Sequence, residues 1–383
     1  MRDLLLGKAP KDFDVATSAT PEEVQDIFPR CRLIGRRFRL AHVRLGGALI
    51  EVATFRGLFD ADDDESQHAS GRILRDNVFG TVEEDALRRD FTINALFLDP
   101  VSGEIRDYVG GYRDLAERRL RLIGDPDVRY REDPVRLLRA ARFVAKLGVE
   151  PDDETGRRIP ELAHLLEGVP TARLFEETCK LFMTGHGLRS MEALQRFGLS
   201  STLFPGLKEG AGLGKILLGG VLRHALESTD ERVRTGKPVT PAFLYAALLW
   251  TGVEEQARRF VARGDPEYVA MMRAAEDAIS VQVQRTAIPR RFSAVTRQIW
   301  LLQTRFNKTR GKRWKRLLYE ERFRAGYDFL LLRAKEDPSL DALCEFWTRA
   351  QDGAEAKAAG GNESAKRRDR PRRRYRRRAP STG

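Results

Sequence analysis

The spacing of apolar residues changes once along this chain, near residue 125, and that change limits the fold more than any other feature. Before it, Leu49–Phe55 (LIEVATF) and Thr92–Leu98 (TINALFL) are short apolar or β-branched runs bounded by polar or turn residues, the pattern of strands. Between them Asp60–Glu65 (DADDDE) is acidic and aperiodic, and is expected to be a surface loop. From about 130 to 350, apolar residues recur at three- and four-residue spacing. Leu137, Ala141 and Val144 show it, as do Leu174, Cys179, Leu181 and Phe182, and again Leu317, Leu318, Phe329 and Leu330. No strand is expected there. Strands followed by helices predict an α+β fold, with a small mixed unit and then a helical one. The length of 383 residues suits two or three compact units.

The C-terminus differs from both parts. Gly353–Gly361 is mostly Ala and Gly. Lys366–Arg378 holds one Lys, nine Arg and one Asp, a net +9 that leaves only +3 on the rest of the chain. Such a segment has no apolar residues with which to build a core, so residues 353–383 are expected to be a disordered basic tail.

A net charge of +12 and pI of 9.8 point to a polyanionic partner, because phosphate backbones are bound by Lys and Arg that displace counterions. RNA, DNA and anionic lipid all remain open on charge alone. Cys31, Cys179 and Cys344 are far apart and lack the spacing of a zinc site or a disulfide framework, which fits a reducing cytoplasm. No apolar run reaches the ~18 residues of a membrane span. Met1-Arg2-Asp3-Leu4 does not start a signal peptide.

Lys11-Asp12-Phe13-Asp14-Val15 is the first chemical signal. On a strand, residues two apart share a side, so Asp12 and Asp14 are expected to face one way and Phe13 and Val15 the core. Paired carboxylates suit Mg²⁺, which takes oxygen ligands from one or two carboxylates and from substrate phosphates. Two such ions about 4 Å apart can activate a 3′-hydroxyl and stabilise a leaving pyrophosphate. Arg88-Arg89-Asp90 opens the second apolar run. A carboxylate beside cations at a strand start suits a metal–triphosphate site, or a structural ion pair. Glu51, inside LIEVATF, is either a further acidic site residue or a solvent-facing strand position.

Glu132-Asp133-Pro134 begins a helix, with Asp133 as N-cap and Pro134 at the first helical position. At 100° per residue, Arg136, Arg139, Arg142 and Lys146 fall within an arc of about 120° opposite the apolar positions. That stripe is either a solvated basic face or a surface for phosphates and base edges.

The segments KDFDVAT, LIGRRFRLAHV, IEVATFRG, RRDFTINAL, RDYVGG, RLIGDP, RYREDPVRLLRAARFVAKLG and ARLFEETCKLF, in this order, resemble the bacterial poly(A) polymerase and CCA-adding enzyme family. The resemblance extends through PVTPAFLYAALLW, IPRRFSAVTRQIW and YDFLLLRA. It implies a nucleotidyltransferase head (1–125) with a mixed sheet, an all-helical neck (126–205) that binds nucleotide and RNA, and a helical RNA-binding body (206–352). The implied chemistry is untemplated attack of an RNA 3′-hydroxyl on the α-phosphate of ATP, with Mg²⁺, or Mn²⁺ in its place, as cofactor.

Position by position, the resemblance implies Asp12 and Asp14 as metal ligands and Asp90 as the third acidic residue. Arg2, Arg89, Arg136 and Arg139 would contact triphosphate or base, and Asp133 with Arg136 would read the base edge. In the tail, Arg367, Arg368, Arg372, Arg373, Arg374, Arg376, Arg377 and Arg378 are expected to hold RNA. Relatives carry a strand and a Gly-Gly pair before the segment matching Met1-Arg2-Asp3, so a head lacking that strand is expected. LIGRRFRLAHV and the basic tail favour poly(A) addition. CCA addition to tRNA, and an RNA-binding protein with a disabled head, are the alternatives.

Overall fold

In the computed structural model the described residues are 1–10, 13–35, 39–57, 67–68, 72–73, 79–207, 220–311 and 313–352. They form two units, Met1–Pro205 with Arg285–Ala287, and Gly206–Gln284 with Ile288–Gly383. Asp12, the DADDDE segment, Arg36–Phe38 within LIGRRFRLAHV, and the basic tail lie outside the described residues.

In the first unit, helix α1 (Arg2–Leu5) precedes strand β1 (Asp14–Thr17). Helix α2 (Pro21–Ile27) then begins at a capping box: Thr20 Oγ1 accepts from the Glu23 backbone, and the Glu23 carboxylate accepts from the Thr20 N–H at 2.7 Å. Strands β2 (Cys31–Ile34), β3 (Leu40–Leu45) and β4 (Ala48–Thr54) follow, and the sheet runs β1-β4-β3-β2. β1 is parallel to β4, and the other pairs are antiparallel, giving the expected mixed sheet. One face packs Ala41, Val43 and Val52 onto Val24 and Phe28 of the α2 segment.

Two corrections belong to the strands of this unit. Phe13 and Val15 do not reach a core: they are 67% and 44% exposed. Among the described residues β1 is an edge strand beside β4, and α2 packs on β2, β3 and β4, so alternation alone cannot bury the start of β1. TINALFL is also not one strand. After the two-residue strands β5 (Gln67–His68) and β6 (Arg72–Ile73) and helix α3 (Val82–Arg88), Thr92–Asn94 form a 3₁₀ turn. Only β7 (Leu96–Leu98) is extended, paired with β8 (Ile105–Asp107).

Packing at Gly111, the first residue of helix α4 (Gly111–Ala116), fixes that turn. A Cβ there would sit 2.1 Å from the Thr92 carbonyl oxygen, so only glycine allows the approach. Thr92 Oγ1 donates to the buried Asp114 at 2.6 Å, and Arg121 donates to the same carboxylate at 2.8 Å. Asp90, two residues upstream, therefore stands on a rigid support.

Helix α5 (Pro126–Glu132), capped by Asp125, leads into helix α6 (Val135–Leu147). The helical part thus starts before Pro134, and Asp133 both closes α5 and accepts from the Val135 N–H at 3.2 Å. Leu137, Leu138 and Ala141 are fully buried. One short pairing breaks the expected absence of strands: β9 (Arg119–Leu120) runs parallel to β10 (Glu150–Pro151). Helix α7 (Asp153–Glu161) precedes helices α8 (Thr171–Phe182) and α9 (Gly187–Arg196), and both of these pack on α6.

The second unit is helical throughout its described residues. Its core is aromatic. Trp347 donates its indole N–H to the Phe306 carbonyl at 3.1 Å, and Trp300 to that of Ala246 at 3.0 Å, so neither buried indole lacks a partner.

Candidate active site

Strand register builds the first half of the site. Asp14 of β1 stands opposite Glu51 of β4, and Glu51 opposite His42 of β3. Neighbouring strands lie about 4.8 Å apart, so the two carboxylates are adjacent on one face. Both are exposed, and His42 Nε2 lies 3.4 Å from Glu51. Among the described residues no group of three or more His, Cys, Asp or Glu is set to hold a metal ion. The donor chemistry of Asp14 and Glu51 nevertheless fits a hard divalent cation: carboxylate oxygens side by side on two hydrogen-bonded strands.

The same face continues through Ala16 and Ala53 into a cavity of about 280 Å³ that Thr54, Arg56, Asp85, Arg88 and Arg89 also line. Arg89 also lines a second cavity of about 450 Å³. Its guanidinium donates to Asp85 at 3.0 Å and to the Asn94 carbonyl at 3.0 Å, and lies 4.5 Å from the Phe97 ring centre. A fixed cation thus stands where the two spaces meet.

The larger cavity lies between the Asp90 turn, α6 and α8. Asp90 is nearly buried and its oxygens are occupied: Oδ1 accepts from the Phe91 N–H and Asn94 Nδ2, and Oδ2 from Arg139 at 2.6 Å. Burial pushes its carboxyl up, but Arg139 and the two donors outweigh that and hold it below the usual range. Arg136 donates to Glu132 at 3.0 Å and to the Arg129 carbonyl at 2.6 Å. Asp133 Oδ2 accepts from Arg173 of α8 at 2.7 Å. Lys146 pairs with Asp3 at 2.9 Å. The cationic stripe on α6 is therefore not a solvated face. Its side chains are 12% (Arg136), 29% (Arg139), 16% (Arg142) and 34% (Lys146) exposed, and each faces a carboxylate. The counter-charges come from α5 (Glu132), α8 (Glu177) and the head (Asp90 and Asp3).

Residues 1–121 match the model for the poly A polymerase head domain, and residues 148–210 that for the probable RNA and SrmB-binding site of polymerase A. Residues 263–380 match the polymerase A arginine-rich C-terminus. Poly(A) polymerase I of Salmonella typhimurium is 44% identical over 99% of this chain and 84% of its own length. The chain belongs to the poly(A) polymerase family. A CCA-adding enzyme of Bacillus pumilus is 37% identical over 55% of this chain and 50% of its own. The fold is similar to that of the Bacillus stearothermophilus CCA-adding enzyme solved with CTP: TM-score 0.58, 24% identity, 92% of this chain and 76% of that one.

Within this polymerase-family head and neck, Arg89, Asp90, Asp133, Arg136 and Arg139 meet at one cavity. Arg2 lines neither cavity: it bonds Asp3 at 2.8 Å and the Asn94 side chain, and lies 4.9 Å from the Phe143 ring centre. Sequence reasoning missed the α8 wall, Arg173, Glu176, Glu177 and Lys180. A signal existed: charged residues three, four and seven apart on a helix whose Leu174, Thr178 and Leu181 are buried.

Proposed function

We propose that this chain transfers AMP from ATP to RNA 3′-hydroxyls without a template, releasing pyrophosphate and building poly(A). One observation carries the choice over CCA addition. The poly(A) polymerase I match spans nearly the whole chain, whereas the CCA-adding match stops at about half of it. The setting proposed is a reducing cytoplasm. Cys31, Cys179 and Cys344 are free, and no described helix is long and apolar enough to cross a membrane.

Asp14 and Glu51, with Asp12 beside them in sequence, would hold Mg²⁺, or Mn²⁺ in its place. The bound metal would activate the 3′-hydroxyl and neutralise charge on the leaving pyrophosphate. Arg89 orients the triphosphate between the two cavities. The base enters the α6–α8 cavity, where Asp133 accepts from an exocyclic amino group and Arg136 donates to a ring nitrogen. Asp90, nearly buried, acts by holding Arg139 and Asn94, and the exposed Glu51 opposite Asp14, rather than Asp90, completes the metal-binding acids. Lys366–Arg378 would tether RNA through phosphate contacts, and truncation after Gly361 should flatten the salt dependence of RNA binding.

The test offers a generic RNA primer and a tRNA lacking its 3′ CCA, each with ATP or CTP. A long ladder on the generic primer with ATP supports the proposal. Two C residues on the tRNA, with the generic primer untouched, would establish CCA addition instead.

A further inference from the structure

Of the carboxylates lining the α6–α8 cavity, Asp90 and Asp133 already accept hydrogen bonds on both oxygens. Glu176 is exposed and solvated. Glu177 differs from all three. Its side chain is 5% exposed, and Oε1 accepts from Lys180 at 2.8 Å. Oε2 is buried with no hydrogen-bond partner. Arg142 Nη2 lies 3.9 Å from it, in range for attraction but not for a hydrogen bond, and Arg142 Nε is likewise buried without a partner. Burial pulls the Arg142 guanidinium below its usual value, and Glu177 opposes that.

A buried carboxylate oxygen without a donor is costly and rarely left so. Lys180 and Arg142 face the group, and its charge acts on the Arg139 guanidinium. The oxygen is shielded from solvent, so a hydrogen donor in the cavity that Glu177 lines would reach it once the side chain turns toward that cavity.

We infer that Glu177 is a nucleotide-selecting residue whose vacant oxygen takes a donor hydrogen from the bound nucleoside. This rests on the reading of the cavity as the nucleotide's. Two groups of ATP carry such a hydrogen, the 6-amino group and the ribose 2′-hydroxyl. In either case Glu177 rejects nucleotides lacking that hydrogen, because its oxygen then stays buried and unpaired.

Calorimetric binding of ATP, purine riboside triphosphate (no 6-amino group) and 2′-deoxyATP to the full chain and to Glu177→Gln and Glu177→Met tests this. Gln keeps the shape and loses the charge; Met removes the acceptor. The variants should bind ATP about tenfold more weakly, the size of one charge-assisted hydrogen bond. The analogue lacking the contacted group should bind about tenfold more weakly than ATP to the parent, yet equally to parent and variants. Insensitivity of the purine riboside triphosphate identifies the amino group, and insensitivity of 2′-deoxyATP the hydroxyl. A uniform loss across all three nucleotides, or no loss, overturns the inference. Arg136→Met reports on the underlying reading separately. If it weakens ATP binding while the Glu177 variants do not discriminate, only the role of Glu177 falls.

Discussion

The sheet face around Asp14 and Glu51 and the cavity between α6 and α8 treat charge in opposite ways. On the sheet, carboxylates stand side by side and exposed; among the described residues His42 lies 3.4 Å from Glu51, and the Met1 ammonium feels the charge of Asp14. On α6, whose Arg136 and Arg139 line the cavity, four basic residues are covered, and each faces a carboxylate. Like charges left exposed and only partly compensated suit a cation that arrives with the substrate. Opposite charges locked together under cover suit a surface that must not rearrange, since buried pairs set geometry even when they add little stability. One region waits for its counter-charge and the other carries it.

The largest expected effect lies on the uncompensated side. Asp14→Asn or Glu51→Gln should lower AMP transfer by ~10³-fold or more, a barrier increase of about 4 kcal/mol, with RNA binding near normal. Stability should hold or rise, because adjacent like charges are relieved. Glu51→Gln activity within about tenfold of the parent would return Asp90 to the role of third acid.

The compensated side should respond in the reverse manner, through stability first. Asp90→Asn strands Arg139 as an uncompensated, largely buried cation, and removing one partner of such a pair costs ~3–5 kcal/mol. A shift in urea midpoint at unchanged slope measures it. Arg139→Met with Asp90→Asn should recover part of the loss. A cost under about 1 kcal/mol would mean the pair is no more than a surface contact and would remove the contrast between the regions.

Arg173→Ala sits between the two. Its pair with Asp133 is 48% and 24% exposed, so stability should change by less than ~1 kcal/mol. Releasing Asp133, the carboxylate proposed to read the base, should nonetheless narrow the preference for ATP over CTP several-fold. If the preference is unchanged in competition assays, Asp133 is not held in place by Arg173.

How much of this was legible in the sequence follows the same division. Helices α6 and α8 and strand β4 announce themselves by period, because their apolar faces are buried against neighbours. The link between Asp14 and Glu51 is a matter of strand register, 37 positions apart in the chain, and no local pattern encodes it. Thr92–Asn94 turns as a 3₁₀ segment because Gly111 lets α4 approach its carbonyl, a tertiary override of β propensity. The α6 stripe could be drawn on a helical wheel, but its burial could not, since that depends on α8 and Asp3 lying over it. Arg2 was placed by resemblance and is instead taken up by Asp3, Asn94 and Phe143.

The smallest effect should come from the outermost pair of the covered stripe, Asp3 with Lys146. Arg2 and Lys146 outweigh the upward push of burial and hold the Asp3 carboxyl at about 2, below its ordinary 3.8. A depressed carboxyl stabilises the fold while ionised. That contribution is therefore complete above the ordinary value and disappears as pH falls through about 2. Asp3→Asn mimics the protonated acid in shape and never ionises. Parent and variant should differ by a small, constant amount in chemical denaturation above about pH 5, with the gap closing as pH falls through the carboxylate range. The direction follows from the sign of the shift: only the parent binds an extra proton on unfolding in that window, so only the parent gains stability as pH rises. A gap that stays constant down to pH ~2 would trace the difference to amide geometry rather than charge, and would take Asp3 out of the compensated set.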